Sequence, residues 1–259
     1  MKRLLVNADD FGLHADIDAG IVDCIDAGRV CSISFSPNGK SLDWERLAEL
    51  KAKGVLVGLH LTLVGEPWLS DGRVISKWPE LGSQIFTGGG AFREQLGHEI
   101  EAQFAACDAR GLKLDHVDSH QHVHIFGAVW RPTIAAARSR AIGRVRVPAA
   151  PSRGLGKQSV GGLALQLIAG RRRRQWPGAL PCIGLAHAGH NTTEILAREL
   201  TAAGKTGAGD LELVAHPGRD TAGLQAAYSS WKFDWRAEQE ALLSDEFGRA
   251  VRDSGYEIR

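Results

Sequence analysis

Short apolar runs alternate with longer amphipathic stretches along the 259-residue chain. Seven runs read as strands: 3–8 (RLLVNA), 30–36 (VCSISFS), 54–61 (GVLVGLHL), 113–120 (KLDHVDSH), 143–148 (GRVRVP), 180–186 (LPCIGLA) and 211–216 (LELVAH). Helical periodicity predicts helices over 15–28, 41–52, 92–111, 128–140, 160–170, 192–204 and 236–254. The NTTE stretch at 191–194 predicts a capping box, with Asn191 as cap and Glu194 three residues on. Regular alternation of strand and helix argues for an α/β protein with a parallel sheet and crossover helices. About seven such units point to a parallel (β/α) barrel, distorted or incomplete. No Pro/Gly-rich linker divides the chain, so residues 1–259 read as a single domain. The least regular part, 149–180, reads as an excursion over the site.

The polar residues fall in a pattern of their own. They gather where the strands end: Asn7, Asp9 and Asp10 after the first, Ser34, Ser36 and Asn38 after the second, His60 and Thr62 after the third. The fourth carries Asp118, His120, His122 and His124, while Arg146 and His216 lie near the ends of the fifth and the last. In a parallel α/β protein those ends share one face, and that face carries the active site.

Two adjacent acids at the end of a buried strand present an electrostatic problem. Asp9 and Asp10 repel, and a buried charge without a partner is costly. A divalent cation resolves it, with one acid as ligand and the other as general base. Successive strand residues point to opposite sides, so the chain must bend at Asp9–Asp10, entering a loop that Gly12 permits. The competing reading, a helix N-cap, needs one acid, and the helix pattern begins only around Ala15.

In HVDSHQHVH (116–124) the four histidines and Asp118 share parity, and the strand is expected to end near His120. Taken singly, each histidine is equally explained as a hydrogen-bonded structural residue. Together with His60 in GLHLTL (58–63), they supply two imidazoles to set beside one carboxylate, the usual layout of a hydrolytic metal centre with open positions. His216 in LVAHPG (213–218) is placed to act as a general acid, and Glu212, of the same parity, to orient it. Arg146 is a structural ion-pair partner, a holder of the base aspartate, or a substrate ligand. Asn38, His122 and His124 are expected on the substrate side. A glycosidase pair is excluded, because that chemistry needs carboxyls at least ~5 Å apart across a glycosidic bond.

Composition narrows the partners. The chain is 44% hydrophobic and 24% charged with a net charge of +1, which gives no electrostatic case for nucleic acid or an acidic membrane. The run Arg171–Arg174 reads as a solvated loop or helix end. Cys24, Cys31, Cys107 and Cys182 form no CxxC pair, so free thiols are expected and a sulfur-ligated zinc is not. No export segment and no apolar stretch near the roughly 20 residues of a bilayer span is present, so a cytoplasmic location without a stable membrane anchor is expected. Trp68, Trp78, Trp130, Trp231 and Trp235 are core, rim or sugar-stacking residues. A homodimer is left open.

NADDFG (7–12), GLHLTL (58–63), DSHQHVH (118–124), VRVP (145–148) and HPG (216–218) occur in that order across most of the chain. The ordered set resembles the YdjC-like carbohydrate deacetylase family. The stretch 99–120 and the segment WRAEQEALLSDEF (235–247) are also similar to it. GLAHAGHNT (184–192) is similar to members associated with hopanoid lipid synthesis. The resemblance implies a distorted (β/α) barrel and divalent-metal-dependent removal of acetyl groups from N-acetylated amino sugars, either oligosaccharides or sugar-bearing lipids. It implies Asp10, His60 and His120 as metal ligands, Asp9 as base and His216 as acid. Two imidazoles and a carboxylate suit zinc, and also nickel, cobalt or manganese; magnesium is accommodated if waters complete its shell. The alternatives are a metal-dependent phosphoesterase or other amidohydrolase on the same barrel, and a non-catalytic carbohydrate-binding protein.

Overall fold

The first strand of the chain lies in the middle of its sheet. The computed structural model describes the backbone of residues 1–149 and 160–259 and, within these, the side chains of all but 160–167. Its strands are β1 (Lys2–Phe11), β2 (Ser32–Phe35), β3 (Leu56–Leu61), β4 (His116–Ser119), β5 (Arg144–Val145), β6 (Cys182–Ile183), β7 (Leu211–Ala215) and β8 (Tyr256–Ile258). They pair in the order β5-β4-β3-β2-β1-β7-β6, all parallel. β8 pairs with the start of β1, at Lys2–Leu4, ahead of the stretch that β2 takes up from Asn7. The helices are α1 (Ala15–Asp26), α2 (Trp44–Ala52), α3 (Trp78–Thr87), α4 (Gly89–Asp108), α5 (Gly127–Ser139), α6 (Val160–Gln175), α7 (Thr193–Lys205), α8 (Ala222–Ala227), α9 (Trp235–Leu243) and α10 (Asp245–Asp253). The result is an incomplete, curled (β/α) barrel of the expected class.

The period-2 alternation of strands sorts the residues onto two faces. Leu4, Val6, Ala8, Ile33, Phe35, Val57, Leu59, Val117, Val145, Leu211 and Leu213 join one apolar core with the buried stripes of the helices. The intervening positions, Asn7, Asp9, Ser32, Ser34, His60, His116, Asp118 and Glu212, are buried too, but polar. The inside of the curl is therefore a polar lumen rather than packed layers of aliphatic side chains. Gly58 on β3 makes room in it: a Cβ there would meet His116 Nε2 at 2.2 Å. The open edges come together at one place, where the Cys182 N–H donates to the Ala149 carbonyl at 2.8 Å.

Several elements differ from the sequence reading. β5 covers two residues, although the Arg146 N–H extends the ladder to the Val117 carbonyl at 2.9 Å. The 236–254 helix is broken at Ser244, whose hydroxyl accepts from the Phe247 N–H and starts α10. α7 is capped by Thr192, not Asn191; Asn191 is buried and donates its amide to the Gly184 carbonyl and to Glu238. α3, α8 and β8 have no counterpart among the expected elements. Part of the expected 149–180 excursion, 150–159, lies outside the described residues. Arg171–Arg174 end α6, where Arg172 alone turns inward to the Ile125 carbonyl at 2.9 Å. The four cysteines are free. Among the described residues no helix is long and apolar enough to cross a membrane.

Candidate metal centre

The bend at the two acids is a bulge. The β1–β2 register slips between Ala8 and Phe11, and Asp10 sits at φ 71°. Aspartate is one of the few residues that tolerates this left-handed region. The extra turn brings Asp10 to the lumen side with Asp9, and both are buried. Gly12, at φ 92°, completes the exit, and its N–H donates to Asp18 at 2.6 Å. α1 starts at Ala15, with His14 as its cap through Nδ1 and the Asp16 N–H.

Asp10, His60 and His120 converge at the mouth of the lumen. Asp10 Oδ1 lies 3.1 Å from His60 Nε2 and 3.0 Å from His120 Nδ1, and all three ligand atoms fall within 4.8 Å of one another. Donors held roughly 2.0–2.2 Å from a common ion sit about 3 Å apart, so this set fits a divalent cation. β3 supplies His60; β4 ends at Ser119, and His120 follows in a short 3₁₀ segment, His120–Ile125. The strand therefore ends where the sequence placed its end.

A carboxylate fixes the orientation of His60. Asp118 lies beside it in the β3–β4 register and takes its Nδ1 proton at 2.7 Å. Nε2 is thereby turned to Asp10, the arrangement in which metal-binding imidazoles are usually held. Burial disfavours the charged form of His60, but Asp118 and Asp10 outweigh it and push the pKa up to about 10. Burial likewise opposes ionisation of Asp10 and Asp118; His120 and His60 hold Asp10, and Arg146 and His60 hold Asp118, well below the carboxylate range.

Arg146, fully buried, is the hub beneath this centre. It donates to Asp9 through both terminal nitrogens, at 2.6 and 2.8 Å, and through Nε to Glu212 at 2.8 Å. Asp118 Oδ2 lies 2.8 Å from its Nη1. Arg146 is thus both an ion-pair partner and the holder of the aspartate, and it is enclosed by protein. Asn7 adds a donor to Asp9 at 2.7 Å. Glu212 is turned to Arg146 and Arg144, so it does not orient His216. Four buried carboxylates, Asp9, Asp10, Asp118 and Glu212, face two guanidinium groups, which leaves a deficit matching a divalent cation before any histidine is counted.

The carboxylate that stands by His216 is instead Glu238 of α9. Glu238 Oε2 accepts the His216 N–H at 2.6 Å and stands 3.6 Å from Nδ1. Burial pulls the His216 pKa down, but Glu238, then Asp10 and Asp9, push it up to about 9. The only signal for Glu238 in the sequence was its place in the 235–247 segment.

The remaining expected residues separate. His124 is enclosed, with Nδ1 against Ser119 at 2.6 Å and Nε2 against the Arg146 carbonyl at 2.7 Å, so both ring nitrogens are taken by protein and it braces the loop. Burial pushes its pKa down to about 4. His122, at φ 54°, is half-buried and its Nδ1 has no partner among the described residues. Asn38 spends its amide N–H groups on the carbonyls of Thr62 and Pro67, at 3.1 and 3.0 Å. Trp68, Trp130 and Trp235 are core residues and Trp78 is exposed. Trp231 packs on His120 with ring centroids 4.8 Å apart and borders a cleft of about 550 Å³.

Comparison with known proteins finds relatives over the whole chain. A chitooligosaccharide deacetylase of Klebsiella pneumoniae (strain 342) is 29% identical over 266 aligned residues, covering 100% of this chain and 98% of the relative. Another so named, from Yersinia pestis (strain Pestoides F), is 34% identical over 148 residues, 54% of this chain and 58% of its own. A crystal structure from Enterococcus faecalis V583, of a protein named for cellobiose-phosphate cleavage, superposes with a TM-score of 0.75 at 22% identity, covering 100% of this chain and 97% of that one. The model of the YdjC-like protein family matches residues 3–253, and the chain belongs to that family.

Proposed function

We propose that this protein is a carbohydrate N-deacetylase, which hydrolyses the acetamide of an N-acetylated amino sugar to acetate and a free amine. The observation that carries the reading is the convergence, at one end of the sheet, of three potential metal-ligand atoms with an Arg-held carboxylate and an imidazole faced by a glutamate. The names of the full-length relatives point to the same substrate class.

Asp10, His60 and His120 would hold a divalent cation, for which zinc is the first choice, and bound there it supplies Lewis acidity to the acetamide carbonyl and to water. Asp9 acts as the base. Its Oδ1 accepts from Asn7 and Arg146, whereas Oδ2 accepts from Arg146 and keeps a second lone-pair direction for the proton of the attacking water. Arg146 fixes that carboxylate against rotation. His216, with Glu238 facing Nδ1, gives its Nε2 proton to the departing amine, without which nitrogen leaves poorly. The four free thiols suit a reducing, cytoplasmic compartment.

The test is acetate release from N-acetylglucosamine oligomers by zinc-loaded protein, with metal content measured in parallel. Release by the wild type, lost in Asp10→Ala and His60→Ala together with the metal, is the expected result. Zinc-loaded protein that releases no acetate from oligosaccharide or sugar-lipid substrates overturns the reading. Full metal retention by both variants overturns the ligand assignment.

A further inference from the structure

The cleft beside the metal centre contains a buried carboxylate that neither the ligand triad nor the proton-moving pairs use. Its volume of about 550 Å³ lies within the range, roughly 300–1,000 Å³, common for small-molecule sites. His120 and Trp231 line one part of it; Asp10 and His60 do not line it, so it extends away from the reacting centre. Lys40, Glu66 and Ser76 line it as well, and Tyr228 stands among them.

Glu66 is 3% exposed. Its Oε1 lies 3.3 Å from the Tyr228 hydroxyl, whose single proton also has the Leu13 carbonyl at 3.0 Å. Its Oε2 has no hydrogen-bond partner among the described residues, and the exposed Lys40 ammonium stands 3.5 Å away. A buried acceptor without a hydrogen bond is costly, and only the exposed Lys40 side chain need shift for an incoming group to reach Oε2. A carboxylate can only accept, so that group must donate. The ammonium beside it adds donors and opposes the entry of a second cation. An acceptor and a donor side by side match two neighbouring hydroxyls, each of which both donates and accepts. The indole of Trp231 offers an apolar face against which a ring can stack.

We propose that Glu66 and Lys40 form a subsite for a second sugar ring, joined to the ring whose acetamide faces the triad. Glu66 Oε2 accepts from one hydroxyl of that ring, Lys40 donates to its neighbour, and Trp231 packs where the two rings meet. Glu66 is thus a specificity-determining residue that selects disaccharides and longer chains over a single N-acetylated sugar. This rests on the deacetylase reading for the placement of the first ring.

The test is titration of zinc-loaded protein with N-acetylglucosamine and with N,N′-diacetylchitobiose, followed by calorimetry, alongside acetate release from each. Wild type should bind the disaccharide about tenfold or more tightly than the monosaccharide, as one additional charge-assisted contact supplies. Glu66→Gln and Lys40→Ala should each erase most of that preference, through KM rather than kcat, without loss of zinc. Lys40 is exposed, so its variant carries the test if Glu66→Gln fails to fold. Equal affinity for the two sugars in the wild type, or a preference that persists in the variants, overturns the proposal. A Glu66-dependent preference in binding with no acetate released sustains the subsite and overturns the deacetylase reading instead.

Discussion

The two faces of the sheet are buried alike and built on opposite principles. On the helix side, aliphatic residues such as Val57, Leu59 and Val117 tolerate neighbours of any direction, because burial of apolar surface is non-directional. On the lumen side, between those same residues, stand Gly58, His60, His116 and Asp118, and almost every polar atom is matched to a particular partner. Ser34 shows the density of the matching: its hydroxyl donates to Asp118 and accepts from Asn7, with His116 Nε2 also in reach at 2.9 Å. One face holds the strands together; the other holds charges in position against the repulsion between them.

Breaking the lumen at its working edge should have the largest effect. Asp9→Asn keeps the shape and removes the proposed base, so kcat of zinc-loaded protein should fall roughly 10²–10⁴-fold with the metal retained. Steady-state acetate release and metal analysis on one preparation check it. Arg146→Met should be the most damaging change to stability on that face. It strands Asp9, Asp118 and Glu212 without their shared cation, and removal of one partner from a buried charge pair costs about 3–5 kcal/mol. Urea unfolding reads this directly, whereas Val57→Ala, on the other face, costs only its lost packing. Asp118→Asn leaves His60 in place but weakens its orientation, and zinc affinity should drop about 10–100-fold in competition with a chelator.

Smaller effects sharpen the contrast. Glu238→Gln removes the foremost influence that raises the His216 pKa above its burial-lowered value. An acid works while protonated, so activity should decline as pH rises through about 9. In the variant that alkaline limb should move to lower pH by on the order of one unit. The linked stability has the same sign: the contribution of His216 is complete below the unfolded value near 6.5 and is lost as pH rises through about 9. His124→Ala should cost about 1–3 kcal/mol, because it removes the imidazole that ties the Ser119 hydroxyl to the Arg146 carbonyl and leaves that carbonyl without its ring partner, and the loss should appear in the unfolding midpoint rather than in KM.

The apolar face was readable from the sequence because alternation is a local property. Six of the eight strands among the described residues lie within runs that show it, and β1 extends its run at both ends. β8 escaped because three residues, YEI, carry no period, and α3 because only Leu81 of its ten residues is a deeply buried hydrophobe. The convergence of polar strand ends was also readable, since parallel strands must bring their ends to one side. Who pairs with whom was not. Parity put Glu212 and His216 on the same face, yet Glu212 is taken by two arginines from across the lumen, and the carboxylate beside His216 comes from 22 positions further on. The histidine motif shows the same limit: His120 and His124 look equivalent in DSHQHVH, and only the left-handed turn at Gln121 and His122 sends one to the site and the other into the wall.

The central place of β1 has a consequence for how the protein is made. Leu4 pairs with Leu211 and with Ile258, so the strand that carries Asp9 and Asp10 is made long before two of its three partners. At roughly 5–20 residues per second, it waits on the order of ten seconds or more for β7 to appear. Contacts of such long sequence separation slow folding and leave edges exposed meanwhile. Asp10, His60 and His120 all lie on the half of the sheet made first, but the strand that carries Asp10 is flanked on both sides only once β7 has been made.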